Sequence, residues 1–394
     1  MWSVWIEEAR PRIFRSRLHI GKPSRRQVPL PGARWVRVRN IMAGLSEPDL
    51  ALARGDLHGT EQLTLPHLKR RYLGREVVGN VVEIGSDVVL VRVGDRVVLQ
   101  NDAISTCATL GLQPPCRACA SWNVALCEHR TLPWPGTGAG WSDEMIVHES
   151  QLFLVPSALT NDQAVLLEPA ARAIRAVLQR APEPGAEALI IGDSAMGQLV
   201  ITAIQAIAPG AHITLATDAP VAATSANKLG VTAIIPGKNS EMLVRGAELT
   251  NAQTFQHGKQ TYIHGGFDVI FDCRGANHSI DAALRLIRSG GTIVLVTGPT
   301  RAMPVDISPL WYEEVNVVGV TGPGAESLPE DMAESVGIHS SSLALAARLM
   351  LKQRLHTETI ITHREPASQM QQALHLATEP SKNGVMRVVI TFNA

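Results

Sequence analysis

At 394 residues the chain is long enough for two domains of ordinary size, and its 45% apolar and 18% charged composition excludes a disordered polymer. Lys plus Arg equals Asp plus Glu at 36 each, so no net basic field is present to bind nucleic acid. No apolar run reaches the ~20 residues that a membrane span needs, and the N-terminus, with Glu7, Glu8, Arg10 and Arg12, lacks an apolar signal core. The chain therefore reads as soluble and cytoplasmic, where five cysteines, four of them clustered, point to a metal before disulfides.

Residues 1 to about 45 are predicted as antiparallel strands. Arg34-Trp35-Val36-Arg37-Val38-Arg39 alternates strictly between charged and apolar, with its arginines on a solvated face. From 74 to 99, Val77-Val78, Val81-Val82, Val88-Val89-Leu90 and Val97-Val98 are divided by Gly79, Gly85 and Gly94, which predicts a compact barrel-like domain. Cys107, Cys116, Cys119 and Cys127 follow, with a C-x2-C-x7-C core. Four thiolates in one short loop can close a tetrahedral zinc site with no position left open for substrate; four unlinked small residues fit the spacing less well.

Leu166-Leu167-Glu168-Pro169-Ala170-Ala171 opens a helix. Glu168 is either a first-turn acid serving the helix dipole or a group facing an interdomain cleft. Ala188 to Ile191 then reads as a buried strand, with Gly192 and Gly197 as the outer glycines of a G-x-G-x-x-G turn whose middle glycine is Ser194. Met196, Leu199, Val200, Ile204 and Ile207 continue at helical spacing. Such a turn aims backbone N–H groups and a helix N-terminus at a pyrophosphate. A second strand, Ile213 to Ala216, ends at Thr217-Asp218, where an acidic side chain can bind the ribose hydroxyls of NAD. Phe267 to Cys273, a helix from Ser279 to Ser289, and Gly290 to Gly298 keep strand and helix alternating, as a parallel sheet requires. Residues 299 to 342 read as irregular; the helix Leu343 to Leu355, residues 358 to 362, a helix over 366 to 378 and the strand Val385 to Thr391 complete the chain.

Several motifs stand in one order: Gly44-Leu45-Ser46-Glu47-Pro48-Asp49-Leu50, Gly74-Arg75-Glu76-Val77-Val78-Gly79, Gly94-Asp95-Arg96-Val97, the cysteine cluster, Glu168-Pro169, the glycine turn, and Gly290-Gly291-Thr292-Ile293. Together they resemble the medium-chain dehydrogenase/reductase superfamily, in its zinc-type alcohol, polyol and threonine dehydrogenase branch, from about residue 30 to the end. The resemblance implies an α/β chain with a GroES-like β-rich catalytic domain over 1–158, a doubly wound Rossmann domain over 159–322, and a return to the first domain over 323–394. It also implies NAD(P), a small-molecule substrate and a homodimer or homotetramer, with Gly192, Ser194, Met196, Gly197, Thr217, Asp218 and Thr297 at the cofactor.

Family members hold a catalytic zinc with a Cys, a His and a third Cys, His or Glu. Here the Cys position is Ser46, the His position is Arg75, and only Glu168 matches a third ligand. A hydroxyl is a poor zinc ligand and a guanidinium cannot be one. The proton-relay Thr is Pro48, while Asp49 and Glu76 remain. The catalytic zinc is therefore expected to be gone, leaving Ser46, Arg75 and Glu168 as the catalytic candidates and Glu168 as the first-choice partner for the buried Arg75. Arg75 then either polarises a carbonyl or binds a carboxylate, or merely pairs with Glu168 or Glu76 and fills the space. In the structural zinc lobe the family's first Cys falls at Gln113, and Cys107 substitutes through a longer loop. Thr217 stands where NAD-dependent members carry Asp, with Asp218 next; NAD is favoured over NADP, although Lys228 or a distant Arg can reach a 2′-phosphate. The expected activity is NAD(P)-dependent hydride transfer, either alcohol/ketone interconversion or reduction of an activated C=C bond. The alternative is a catalytically degenerate nucleotide-binding sensor or scaffold. Specificity loops are expected near 51–73, 130–142 and 299–342.

Overall fold

The computed structural model describes residues 2–7, 17–21, 28–54, 70–100, 104–257, 260–299, 302–327 and 339–392. Parts of the expected specificity loops, 55–69, 300–301 and 328–338, lie outside them. The N-terminal lobe contains strands β1 (Val4–Glu7), β2 (Arg17–Ile20), β3 (Trp35–Gly44), β4 (Arg70–Tyr72), β5 (Val77–Ile84), β6 (Arg96–Leu99), β7 (Glu144–His148) and β8 (Leu152–Leu154). The second lobe carries β9 (Glu187–Ile191), β10 (His212–Ala216), β11 (Ala233–Ile235), β12 (Gln253–His257), β13 (Gln260–His264), β14 (Phe267–Asp272), β15 (Ile287–Leu295) and β16 (Asn316–Gly319). Short strands β17 (Ala325–Ser327) and β18 (His339–Ser341) precede β19 (His363–Pro366) and β20 (Val388–Thr391).

The N-terminal lobe is built on β3, which pairs antiparallel with β5, β7 and β20. Its alternation buries Val36 and Val38 in one apolar cluster with Val77, Val81, Val97, Met145 and Val147. The arginine face is only partly solvated. Arg37 is buried, its Nε 2.6 Å from Glu83 and its Nη1 3.6 Å from Glu144, because β7 and β5 flank it on both sides. β20 completes the sheet against β3, so the end of the chain returns to the first lobe.

The second lobe is a parallel six-stranded sheet in the order β11-β10-β9-β14-β15-β16. Its central strands β9 and β14 carry continuous buried apolar runs, residues 188–191 and 269–271, as strands covered on both faces do. The strand order reverses between β9 and β14, and the carboxyl ends of these two strands form the crevice where such sheets bind ligands. The helix expected over 279–289 runs from Asn277 to Leu286, because Ile287 already pairs with Phe267 of β14. The stretch expected to be irregular holds the helix Ser308–Tyr312 and β16, a four-residue edge strand too short and polar to show a pattern. One apolar cluster joins Met42, Val78 and Val98 of the first lobe, through Leu167, Ala170 and Ile174, to Leu199 and Ile204 of the second. The two lobes therefore share a core, and the cleft between them has a fixed floor.

Candidate active site, thiolate cluster and dinucleotide turn

The cleft begins where β3 ends. Ser46 caps the helix Glu47–Arg54: its Oγ receives the Asp49 N–H at 3.4 Å and donates to Asp49 Oδ2 at 2.7 Å. The turn between β4 and β5 brings in Arg75, whose backbone N–H donates to the same Oδ2 at 3.2 Å and whose Nε lies 3.6 Å from it. Ser46 and Arg75 thus converge on one carboxylate oxygen. Glu76 turns the other way, its Oε1 3.3 Å from Arg387 Nη2, while Arg387 Nη1 donates to the Leu45 carbonyl at 2.8 Å. A side chain at Gly44 would run into the Glu76 carboxylate, so the glycine admits it. Glu168, at the start of the helix Leu167–Gln179, accepts from Arg172 Nη2 at 2.7 Å, one turn further on.

Asp49, Glu76, Glu168, Arg75, Arg172 and Arg387 are all buried, three carboxylates against three guanidiniums. Buried charges persist only when paired, and each of these has its partner. The expected Arg75–Glu168 pair does not form. Asp49 lies on the helix next to Arg75 and takes it, while Arg172, at i+4, takes Glu168. Burial lifts the Glu76 carboxyl to about 7, opposed by Arg387 and reinforced by Glu168. Among the described residues, Glu76 Oε2, Glu168 Oε2, Arg172 Nε and Arg387 Nε find no hydrogen-bond partner. As a zinc cage the cleft does not fit. Ser46 is committed to a cap, Arg75 has no lone pair to give, and Glu168 is already neutralised by Arg172.

The cysteines are different. Among the described residues, Cys107, Cys116, Cys119 and Cys127 form the one group of three or more His, Cys, Asp or Glu side chains close enough to share a metal, with all four sulfurs within 4.8 Å of one another. Cys127 Sγ lies 3.9 Å from both Cys107 Sγ and Cys116 Sγ. That matches the ~3.8 Å edge of a tetrahedron with Zn–S bonds of about 2.3 Å. Backbone N–H groups of Glu128 and Cys119 hold the Cys116 thiol down to about 6, while burial pushes Cys119 and Cys127 up. A cation displaces the protons that burial would otherwise retain. The helix Leu167–Gln179 also braces this lobe: Arg175 donates to Asn123 Oδ1 at 3.0 Å and lies 3.3 Å from Glu326.

The glycine turn joins β9 to the helix Ala195–Ile207, with Ser194 as N-cap in extended conformation and making no side-chain cap bond. The first N–H groups of that helix have no side-chain cap, as an arriving phosphate requires. A Cβ at Gly192 would lie 3.0 Å from Cys273, whereas at Gly197 it meets nothing closer than 3.5 Å. Met196 is buried in the first helical turn, and Thr297 follows β15 at the crevice rim. Thr217 Oγ1 donates to Asp193 Oδ1 at 2.6 Å, and Asp218 Oδ1 accepts the Gly237 N–H at 3.0 Å. Sequence reasoning passed over Arg172, Arg387, Asp193 and Arg274. Arg172 had a signal in its i+4 spacing from Glu168; Arg387, 311 residues after Glu76 (387 − 76), had none.

Two family models match the chain: the alcohol dehydrogenase GroES-like domain over residues 32–157 and the zinc-binding dehydrogenase over 195–337. The (R,R)-butanediol dehydrogenase of Saccharomyces cerevisiae is 26% identical over 348 residues, covering 84% of this chain and 85% of that protein. The L-idonate 5-dehydrogenase of Vitis vinifera is 26% identical over 330 residues, covering 82% and 80%. The crystal structure of 2R,3R-butanediol dehydrogenase from Bacillus subtilis superposes with a TM-score of 0.70 at 22% identity, covering 100% of this chain and 99% of that one, a likeness of fold.

Proposed function

Because the chain belongs to the medium-chain dehydrogenase/reductase superfamily and is an NAD(P)-dependent oxidoreductase, we propose that it transfers a hydride to or from a small alcohol or carbonyl substrate without a catalytic zinc. The observation that carries this reading is the buried Ser46–Asp49–Arg75 cluster, in which a guanidinium holds the position of a zinc-binding imidazole. Bound nicotinamide dinucleotide supplies or accepts the hydride. The chain's own residues manage the charge that develops on the substrate oxygen. Arg75 stabilises negative charge there, a fixed donor in a site from which water is largely excluded. Ser46 takes the proton of a substrate alcohol at Oγ while passing its own to Asp49 Oδ2, along the 2.7 Å hydrogen bond already in place. Glu168 Oε2 is an acceptor and Arg172 Nε a donor without a hydrogen-bond partner among the described residues, polar groups to which a further substrate hydroxyl could bind.

The activities of the relatives, a butanediol dehydrogenase and an idonate dehydrogenase among them, favour alcohol or polyol oxidation over reduction of an activated C=C bond and do not support a non-catalytic sensor or scaffold. The four-cysteine cluster fits one structural zinc and supports a reducing, cytoplasmic setting. No helix among the described residues is long and apolar enough to cross a membrane. The division proposed is 1–158 and 323–394 for the catalytic domain and 159–322 for the dinucleotide domain. Edge strand β16, with exposed Val317 beside exposed Trp311 and Tyr312, supports pairing with a second copy as a homodimer or homotetramer. Elemental analysis of purified protein, read beside diol-dependent reduction of the nicotinamide, tests the whole reading. One zinc per chain with activity intact is expected; two zincs, one of them lost in Glu168→Ala, would return the site to zinc chemistry.

A further inference from the structure

Resting on the proposed placement of a dinucleotide over the glycine turn, we infer that Asp193 and Arg274 select NAD over NADP, the Asp193 carboxylate acting as a built-in anion at the adenosine ribose. Asp193 is the second residue of the turn, where its charge would oppose a pyrophosphate unless neutralised. Its carboxylate instead takes three donors from within the chain. Oδ1 accepts from Thr217 Oγ1 at 2.6 Å and from the Asp218 N–H at 3.1 Å, and Oδ2 accepts from Arg274 Nη2 at 2.7 Å. Arg274 follows β14, on the far side of the switch point, and is held there by a second bond from Nη1 to the Gly237 carbonyl at 3.0 Å, with His278 Nε2 3.3 Å away.

These are the donors that a 2′-phosphate at the end of β10 would need: a hydroxyl, a backbone N–H and a guanidinium. All three are spent on Asp193. Counting Asp218, the corner holds two carboxylates and one guanidinium, a net charge of −1. Ribose hydroxyls can donate to such a corner. A phosphate, carrying about −1.5 to −2, must pull Arg274 away and leave Asp193 uncompensated. The sequence offered Lys228 or a distant Arg for a 2′-phosphate; the guanidinium at the corner is Arg274, and Asp193 holds it.

Calorimetric titration of the full chain with NADH and with NADPH tests the inference without requiring turnover. Wild type should bind NADH the more tightly. Asp193→Ser, which releases all three donors, should tighten NADPH on the order of tenfold or more relative to NADH, the worth of one charge-assisted hydrogen bond. Asp193→Asn, which keeps the shape and one acceptor oxygen, should move the ratio in the same direction by less. Adding Arg274→Ala to Asp193→Ser should remove the gain. An NADPH-to-NADH ratio unchanged in both single variants, with NADH binding retained, overturns the inference, as does a wild type that prefers NADPH. Should Asp193→Ser fail to fold, the isosteric Asp193→Asn decides. If wild type binds neither dinucleotide, the placement of the cofactor itself falls, a different and separable result.

Discussion

Two parts of this molecule fall at the positions where the sequence resemblance places metal, and they differ in opposite ways. The loop 107–127 keeps four sulfurs at tetrahedral spacing even though one of them comes from a shifted position in the sequence. The cleft keeps the positions of the motifs, but on the proposed reading a helix-capping Ser46 and the guanidinium of Arg75 stand in two ligand places, and Arg172 pairs with Glu168 in the third. A structural metal can be held from any loop that brings four thiolates together, because only the distances matter. A catalytic position depends on what the donor atoms are, and on the proposed reading the two side chains Ser46 and Arg75 are enough to remove it while the backbone stays in place.

The sharpest break of this comparison is Cys119→Ser. Structural zinc contributes on the order of 10 kcal/mol to folding in small metal-dependent modules, so the variant should lose its metal entirely and unfold at lower denaturant. If metal content instead falls only by half, the cleft holds zinc after all. Arg172→Met comes next. It leaves Glu168 buried and unpaired and should cost about 3–5 kcal/mol in urea unfolding, whereas the double variant Arg172→Met/Glu168→Leu should recover most of that loss. Arg75→Ala should lower kcat by about 10²–10³, the effect of deleting one oxyanion donor, with NADH affinity unchanged by calorimetry. If Arg75→Met keeps full activity, Arg75 is packing and the cleft has no electrophile there.

The smallest effect concerns pH. Glu76 titrates near 7 in the folded chain and near 4.5 unfolded, so the folded state holds the proton more tightly between these values. Its contribution to stability is fully present below about 4.5 and is lost as pH rises through about 7. Glu76→Gln removes that slope. The variant should therefore lose less stability than wild type between pH 5 and pH 7.5, measured by thermal unfolding; equal slopes would mean that Arg387 keeps Glu76 ionised throughout.

How much of this was legible depends on how local the signal was. The strand, turn and helix around Gly192 were readable because apolar runs and helical spacing lie within twenty residues. Ser46 and Arg75 were readable as departures from a pattern. The partner of Arg75 was not: Glu168 is the first-choice candidate in sequence and Glu76 the other, and only the approach of the helix Glu47–Arg54 brings in Asp49 instead. The alternating Arg34–Arg39 was expected to be solvated, but alternation cannot tell an open face from one flanked by acidic strands. The hairpin β12–β13 and edge strand β16 were missed because neither has a buried face to impose a period.

The balance of charge in the cleft has an evolutionary consequence. Exchanging Arg75 for a neutral imidazole removes one positive charge, and exchanging Ser46 for a thiolate adds one negative charge. A dication bound between them supplies two positive charges, and the sum over the cleft is again zero. Asp49, Glu76 and Arg387 can therefore surround either version unaltered, and beyond positions 46 and 75 it is the grip of Arg172 on Glu168 that would have to loosen for a metal. A lineage can cross between the two chemistries at a few positions, without rebuilding the protein around them.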